Sequence, residues 1–443
     1  MSINGVFYLY TNFKRPFMPQ TTKISPIKTS KLPSGLKVIT ENVPTVKSVT
    51  VGIWVKTGSR NETEKQAGIT HFLEHMLFKG TENRSSFDIS MSMESVGGYL
   101  NAFTSSEYTC YYARCLDTEL DKALDVLSDM VLHPSFPQKE ITKEKKVVIE
   151  EMKMYRDSPS DYLFEKFSAQ MFKEHPLGRP ILGFEETVSN FSRSDLYNYM
   201  DDRYVPENII VSVAGNVEHN YVAEMAASAF EEISTKKENG SEIAPGKITA
   251  DQNTYYKSIE QTHFVIGRRG LPANDDNRYT MLLANTILGS GMSSRLHQNI
   301  REQYGYCYSI STFNQAYRDS GLFGVYVGTD QDYVDHVREL IEKEFDALQN
   351  EAVPAKELED AKAQLKGKLL LSQESMSSRM ARLAKSELYF DRFITLDELV
   401  REIDQVDAGK IQDFAATFFD IDEYSQAILL PEQVEDEKKK NTN

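Results

Sequence analysis

Apolar residues alternate with small or polar ones at Val49, Val51, Ile53 and Val55, and the run ends at Gly58. This period of two predicts a strand with one face on a core. A similar run, Thr262–Gly270, ends at Gly270. Tyr108–Leu116 and Leu322–Gly328 read as hairpin-like antiparallel strands, whereas Asp330–Leu348 and Lys356–Tyr389 carry the spacing of long helices. Strands interleaved with amphipathic helices predict an α+β chain, its sheets packed on helices. With 443 residues the chain exceeds what one core fills and suits two domains.

The pattern recurs at an offset near 215 residues. Ser194–Val213 and Gly409–Ile428 each give an amphipathic helix followed by a strand, with Leu196/Ile411, Tyr199/Phe414 and Tyr204/Phe419 in register. The second half therefore reads as a diverged copy of the first, giving two homologous α/β sandwich domains. Ile233–Asn253, containing KKENGSE and APGK, is polar and rich in helix breakers and reads as a linker. The expected organisation is an N-terminal extension (1–32), a first domain (33–233), a linker (234–253), a second domain (254–433) and a charged tail (434–443).

Composition removes some function classes. Hydrophobic residues make up 40% of the chain, and no apolar run approaches the length of a membrane-spanning helix. A formal charge of −16 argues against nucleic acid as a partner. Three cysteines, Cys110, Cys115 and Cys307, are too few for a disulfide framework and suit a reducing compartment. Cys110 and Cys115 fall on opposite faces of one strand and read as packed thiols. The first forty residues lack Asp and Glu but carry six basic residues, from Lys14 to Lys37. The apolar stretch Val6–Tyr10 is too short for a secretory core. The expected location is the cytoplasm, or an organellar matrix if the basic stretch is a transit peptide; Met18 is an alternative start.

The chemistry concentrates at His71-Phe72-Leu73-Glu74-His75. On a helix these place two imidazoles and a carboxylate on one stripe, at i, i+3 and i+4. Ile69, Phe72, Leu73, Met76, Leu77 and Phe78 surround them, so the helix reads as buried nearly all round. Buried polar side chains need partners, and a His pair four apart with a Glu between them favours a metal over two core histidines. Zinc suits imidazole donors and usually takes three protein ligands in catalytic sites. The six other histidines are scattered singly, so the third ligand is sought among carboxylates. In the helical segment Lys139–Tyr155, Val148, Met152 and Tyr155 form an apolar stripe. Glu150, near Lys143 and Lys146, belongs to the solvated face, whereas Glu151 lies over Glu144, Val147, Val148 and Tyr155. An inward carboxylate with a second one two turns before it needs a cation, which selects Glu151.

His-x-x-Glu-His followed by a distant Glu resembles the inverzincin metallopeptidases of the pitrilysin family. The stretch HFLEHMLFKGT is similar to that of its short, two-domain members, such as the mitochondrial processing peptidase beta subunit and its bacterial relatives. Glu151 stands 76 residues after His75, the family's spacing for the third ligand. The resemblance implies one zinc ion per chain on His71, His75 and Glu151, Glu74 as catalytic base, and Glu144 as a support for the ligands. It implies that Asn101, Ala102 and Phe103, after the Gly97-Gly98 pair, hold a peptide substrate as an added strand. Arg301 and Tyr308 would reach the substrate carbonyl and developing oxyanion. The counterpart of the metal helix in the second half, Tyr279–Leu288, has no His or Glu and would be inactive. Two such domains form half of a clamshell, so the expectation is a zinc endopeptidase acting on unfolded peptides or presequences inside a dimeric chamber. The dimer would be a homodimer or a pairing with an inactive sibling chain; a non-catalytic partner subunit or peptide-binding scaffold is the alternative.

Overall fold

The structure, a computed structural model, describes residues 27–231, 233 and 244–432. The first half contributes strands β1 (Ile27–Lys31), β2 (Lys37–Asn42), β3 (Ser48–Val55), β4 (Tyr99–Thr104), β5 (Thr109–Leu116) and β6 (Ile209–Gly215). Its helices are α1 (Ile69–Leu77), α2 (Ser86–Glu94), α3 (Leu120–Leu132), α4 (Gln138–Asp157), α5 (Pro159–Met171), α6 (Glu185–Asn190), α7 (Arg193–Arg203) and α8 (His219–Ala229). The second half contributes β7 (Gln252–Lys257), β8 (Thr262–Gly270), β9 (Cys307–Ala316), β10 (Gly321–Thr329) and β11 (Ser425–Pro431). Its helices are α9 (Arg278–Gly289), α10 (Val334–Asn350), α11 (Ala355–Ser372), α12 (Met376–Phe390), α13 (Leu396–Asp404) and α14 (Ala408–Phe418).

Two sheets result, ordered β1-β2-β6-β3-β5-β4 and β7-β11-β8-β10-β9. The five strands of the second correspond in order to β2-β6-β3-β5-β4 of the first, which adds the edge strand β1, and in each the matching pair, β2 with β6 and β7 with β11, is parallel. The repeat seen in sequence thus extends to topology, and Leu196, Ile411, Tyr199, Phe414, Tyr204 and Phe419 are all buried. The fold is α+β, each sheet packed on helices.

One helix from each half crosses to the other. The segment Lys356–Tyr389, read as one helix, is two: Ser375 accepts a hydrogen bond from the Ser378 amide and starts α12 afresh. From there α12 packs on β2, β3 and β6, burying Met380, Leu383, Ala384 and Leu388 against Ile39, Trp54 and Ile210. Gly52 permits the approach, since a Cβ there would lie 2.6 Å from Met380 Sδ. Trp54 Nε1 donates to that sulfur at 3.1 Å. In return α5, started by Ser158 and Pro159, buries Leu163, Phe167 and Met171 against Val265, Leu322, Ala427 and Leu429. Each large side chain so buried contributes roughly 1.5–3 kcal/mol. The alternation along β3 therefore disclosed one covered face out of two: Thr50, Gly52 and Trp54 are buried as well.

Other boundaries shift. Residues 27–31, assigned from sequence to the extension, form the edge strand β1, and β7 begins inside the segment read as linker. The rest of the extension (1–26), residues 234–243 and the tail (434–443) lie outside the described residues. Cys110 and Cys115 pack on opposite faces of β5, both as buried free thiols. Among the described residues no helix is long and apolar enough to cross a membrane.

Candidate metal centre

Helix α1 begins at Gly68, whose φ of 92° suits glycine, and a Cβ there would lie 2.4 Å from the Leu182 carbonyl oxygen. Having no side chain, Gly68 leaves the helix amides to another residue. Buried Glu62 takes that part, accepting from the amides of Gly68 (2.8 Å) and Thr70 (2.9 Å). Burial pushes the Glu62 carboxyl up to about 8, against the pull of those N–H groups. Ile69, Phe72, Leu73, Met76 and Leu77 are fully buried and Phe78 partly so, which leaves His71, Glu74 and His75 on the remaining stripe.

Helix α4 packs against that stripe. Glu151 Oε2 is 3.4 Å from His75 Nε2 and 3.8 Å from His71 Nε2. The ligand atoms of His71, His75 and Glu151 lie within 4.8 Å of one another, the one such group among the described residues. His75 Nδ1 is 3.2 Å from Glu144 Oε2, and Lys79 Nζ pairs with Glu144 Oε1 at 2.8 Å. Glu150 points away, its side chain 69% exposed and paired with Lys153 rather than Lys143 or Lys146. Tyr155, expected on the buried stripe beside Val148 and Met152, is 46% exposed.

The charges fit a cation. Burial, aided by neighbouring His75, lowers His71 to about 4 despite Glu151. Burial would lower His75 too, but the hydrogen bonds and charges of Glu144 and Glu151 outweigh it and raise His75 to about 9. The hydrogen bond from His75 holds Glu151 below the usual carboxylate range against burial. Burial would raise Glu144, but His75 and Lys79 hold it low. No Lys or Arg pairs with Glu151 among the described residues, and Nδ1 of His71 is buried without a partner. Two imidazole nitrogens and one carboxylate oxygen converging with no Lys or Arg paired to that carboxylate match a zinc donor set.

A cavity of about 410 Å³ opens beside the cluster, lined by His71, Glu74 and Glu151 and, across it, by Gln315 and Tyr317 of the second half. Glu74 accepts from the Thr104 hydroxyl at 2.5 Å. Burial raises its carboxyl, with Thr104 and His75 opposing. Thr104, which sequence reasoning missed, ends β4. Asn101, Ala102 and Phe103 lie in that strand, read from sequence as a lead-in to Tyr108–Leu116. Among the described residues β4 pairs with β5 alone and its other edge has no strand beside it, while β5 is interior. Asn101 is exposed, Ala102 is buried, and Phe103 packs edge-on against Trp54 at 5.5 Å. Arg301 and Tyr308 come together, guanidinium to ring centroid 5.9 Å, but neither lines this cavity.

Residues 37–185 match the family described as Insulinase (Peptidase family M16), and residues 190–365 match the Peptidase M16 inactive domain. This chain belongs to peptidase family M16. Among its M16 relatives, the Bacillus subtilis protein named uncharacterized zinc protease YmxG is 40% identical, covering 91% of this chain and 98% of its own. An uncharacterized zinc protease of Streptomyces coelicolor is 38% identical over 86% of this chain and 85% of its own. The M16 fold is shared with a solved protease from Helicobacter pylori, TM-score 0.86 and 22% identity, covering 92% of this chain and all of that one. A Pseudomonas fluorescens structure described as a peptidase M16 inactive domain gives TM-score 0.86 at 17% identity, covering 91% and 98%. Helix α1, with His71, Glu74 and His75, falls in the first matched segment, and its His- and Glu-free counterpart, α9, falls in the inactive-domain segment.

Proposed function

We propose that this M16 chain is a zinc metalloendopeptidase whose centre is His71, His75 and Glu151. The observation that carries the reading is the convergence of these three side chains within 4.8 Å, with Glu74 beside them on the same cavity. Zinc, when bound, supplies Lewis acidity toward the scissile carbonyl and the attacking water. Glu74 takes a proton from that water and returns it to the leaving amine, and its raised pKa makes it a stronger base. Thr104 orients the Glu74 carboxylate, and Glu144 fixes the His75 ring through Nδ1. The free edge of β4 suits an extended peptide added as a strand, with Asn101, Ala102 and Phe103 along it.

Arg301 and Tyr308 carry the oxyanion role in this reading. That neither lines the cavity within one chain supports a second chain supplying them, as homodimer or with an inactive sibling. An enclosed dimer favours unfolded peptides or presequences over folded proteins. The test is zinc content and cleavage of a quenched unstructured peptide library, with Glu74→Gln alongside. One zinc per chain and chelator-sensitive cleavage lost in the variant are expected. Full peptidase activity in Glu74→Gln would sink the assignment, and a chain that binds peptide but neither zinc nor cleaves would return the scaffold reading.

A further inference from the structure

The helix carrying Arg301 is not a regular α-helix. Over His297–Glu302 it widens into a π turn, the Gln303 amide reaching back to the Gln298 carbonyl. Single π turns inserted in helices occur often at functional sites. Within this turn His297 and Arg301, four residues apart, share a face, and Arg301 Nη1 is 2.9 Å from His297 Nε2. A guanidinium only donates, so Nε2 is the acceptor in this contact and Nδ1 is the ring's N–H. That Nδ1 is buried and has no hydrogen-bond partner among the described residues. Glu302 Oε1, at 3.8 Å, is beyond hydrogen-bond reach. Arg301 in turn has no carboxylate partner among the described residues; the His297 nitrogen and the Tyr308 ring are what hold it.

We infer that His297 is a positioning residue that acts through Arg301: its Nε2 lone pair holds the guanidinium near Tyr308 and leaves the remaining N–H groups for a peptide carbonyl oxygen. The inference rests on the substrate role given to Arg301 above. A long cation held in one arrangement before the substrate arrives loses less freedom on engaging it. An oxygen that gains negative charge along the reaction then meets a donor already in place. The second half, though without metal ligands on α9, would by this route help set the rate.

The test is a double-mutant cycle on the full-length protein, read as kcat/KM on one quenched peptide, with zinc content and thermal midpoint recorded for every variant. His297→Phe is expected to lower kcat/KM roughly fivefold, the worth of one ordinary hydrogen bond. His297→Gln, whose amide oxygen can accept from Arg301, should recover most of that loss. In an Arg301→Ala background, His297→Phe should cause no further loss, because the interaction it removes is already gone. Single turnover with enzyme in excess keeps rates readable even if Arg301→Ala costs roughly a thousandfold. If Phe proves too large for the buried site, His297→Leu serves in the same arm. A fivefold loss in both backgrounds would overturn the inference and leave Arg301 standing. So would an unchanged kcat/KM in His297→Phe. Full activity in Arg301→Ala with zinc retained would instead remove the Arg301 reading, and His297 with it.

Discussion

Helices α1 and α9 occupy corresponding places in the two halves, beside sheets of matching strand order, yet they bury different things. α1 carries His71, Glu74 and His75 on its polar stripe. The corresponding segment of α9 offers Leu283, Ala284, Ile287 and Leu288, all buried, with Thr280 and Thr286 as its buried polar residues. The second half shows that the architecture needs no imidazole and no carboxylate at this place. Burying His71 and His75 of α1 against Glu144 and Glu151 of α4 costs stability unless they are paired. Their presence in one half and absence in the other fits the metal role proposed for them.

Several substitutions would break or sharpen that contrast. Glu74→Gln should lower turnover by roughly 10²–10⁴, the range of general-base catalysis, with zinc content measured by atomic absorption unchanged. Glu151→Ala should lose both zinc and cleavage, whereas Glu150→Ala, one residue away on the exposed face, should change neither. On the other side of the comparison, Leu283→Ala in α9 should cost about 2–5 kcal/mol in chemical denaturation with zinc stoichiometry intact; a loss of zinc without a loss of stability would tie the second half to the metal directly. Glu144→Gln should weaken zinc binding by roughly 10–100-fold in a competition titration while leaving cleavage at saturating metal. The mildest effect concerns protons. With His75 raised to about 9 and His71 lowered to about 4, the metal-free pair carries one proton at neutral pH, on His75. Zinc must displace it, so calorimetry at pH 7 in buffers of different ionisation enthalpy should register about one proton released per zinc, and apparent affinity should rise with pH toward 9.

Helix α1 and its polar stripe were legible because their signals are local: two His four apart, a Glu between, and an apolar surround within ten residues. Glu151 could be told from Glu150 because helical facing separates neighbours by a wide angle. Both sheets were legible in outline from alternation and from the repeat. What escaped was decided over long distances. Nothing near Ser375 announces that the chain leaves its own half there, since a Ser cap inside a long amphipathic run looks like an ordinary helix position. β4 escaped because Tyr99–Thr104 mixes exposed and buried residues without a regular period and owes its strand form to pairing with β5. Glu62 was invisible as the cap of α1 because caps are sought next to the helix, and it lies six residues before Gly68. Arg60, which donates to Glu107 at 2.7 Å and to Asp319 of the second half at 2.8 Å, likewise has no sequence signal.

The exchange of α5 and α12 bears on how the chain can be taken apart. Each half on its own would present a bare apolar sheet face: Ile39, Trp54 and Ile210 in one, Val265, Leu322 and Leu429 in the other. A truncated product of either half would aggregate, whereas two separately synthesised fragments mixed together could restore the whole. The second half, with no His or Glu on α9, is therefore needed as a folding partner, because its helix α12 is the floor under the other half's sheet.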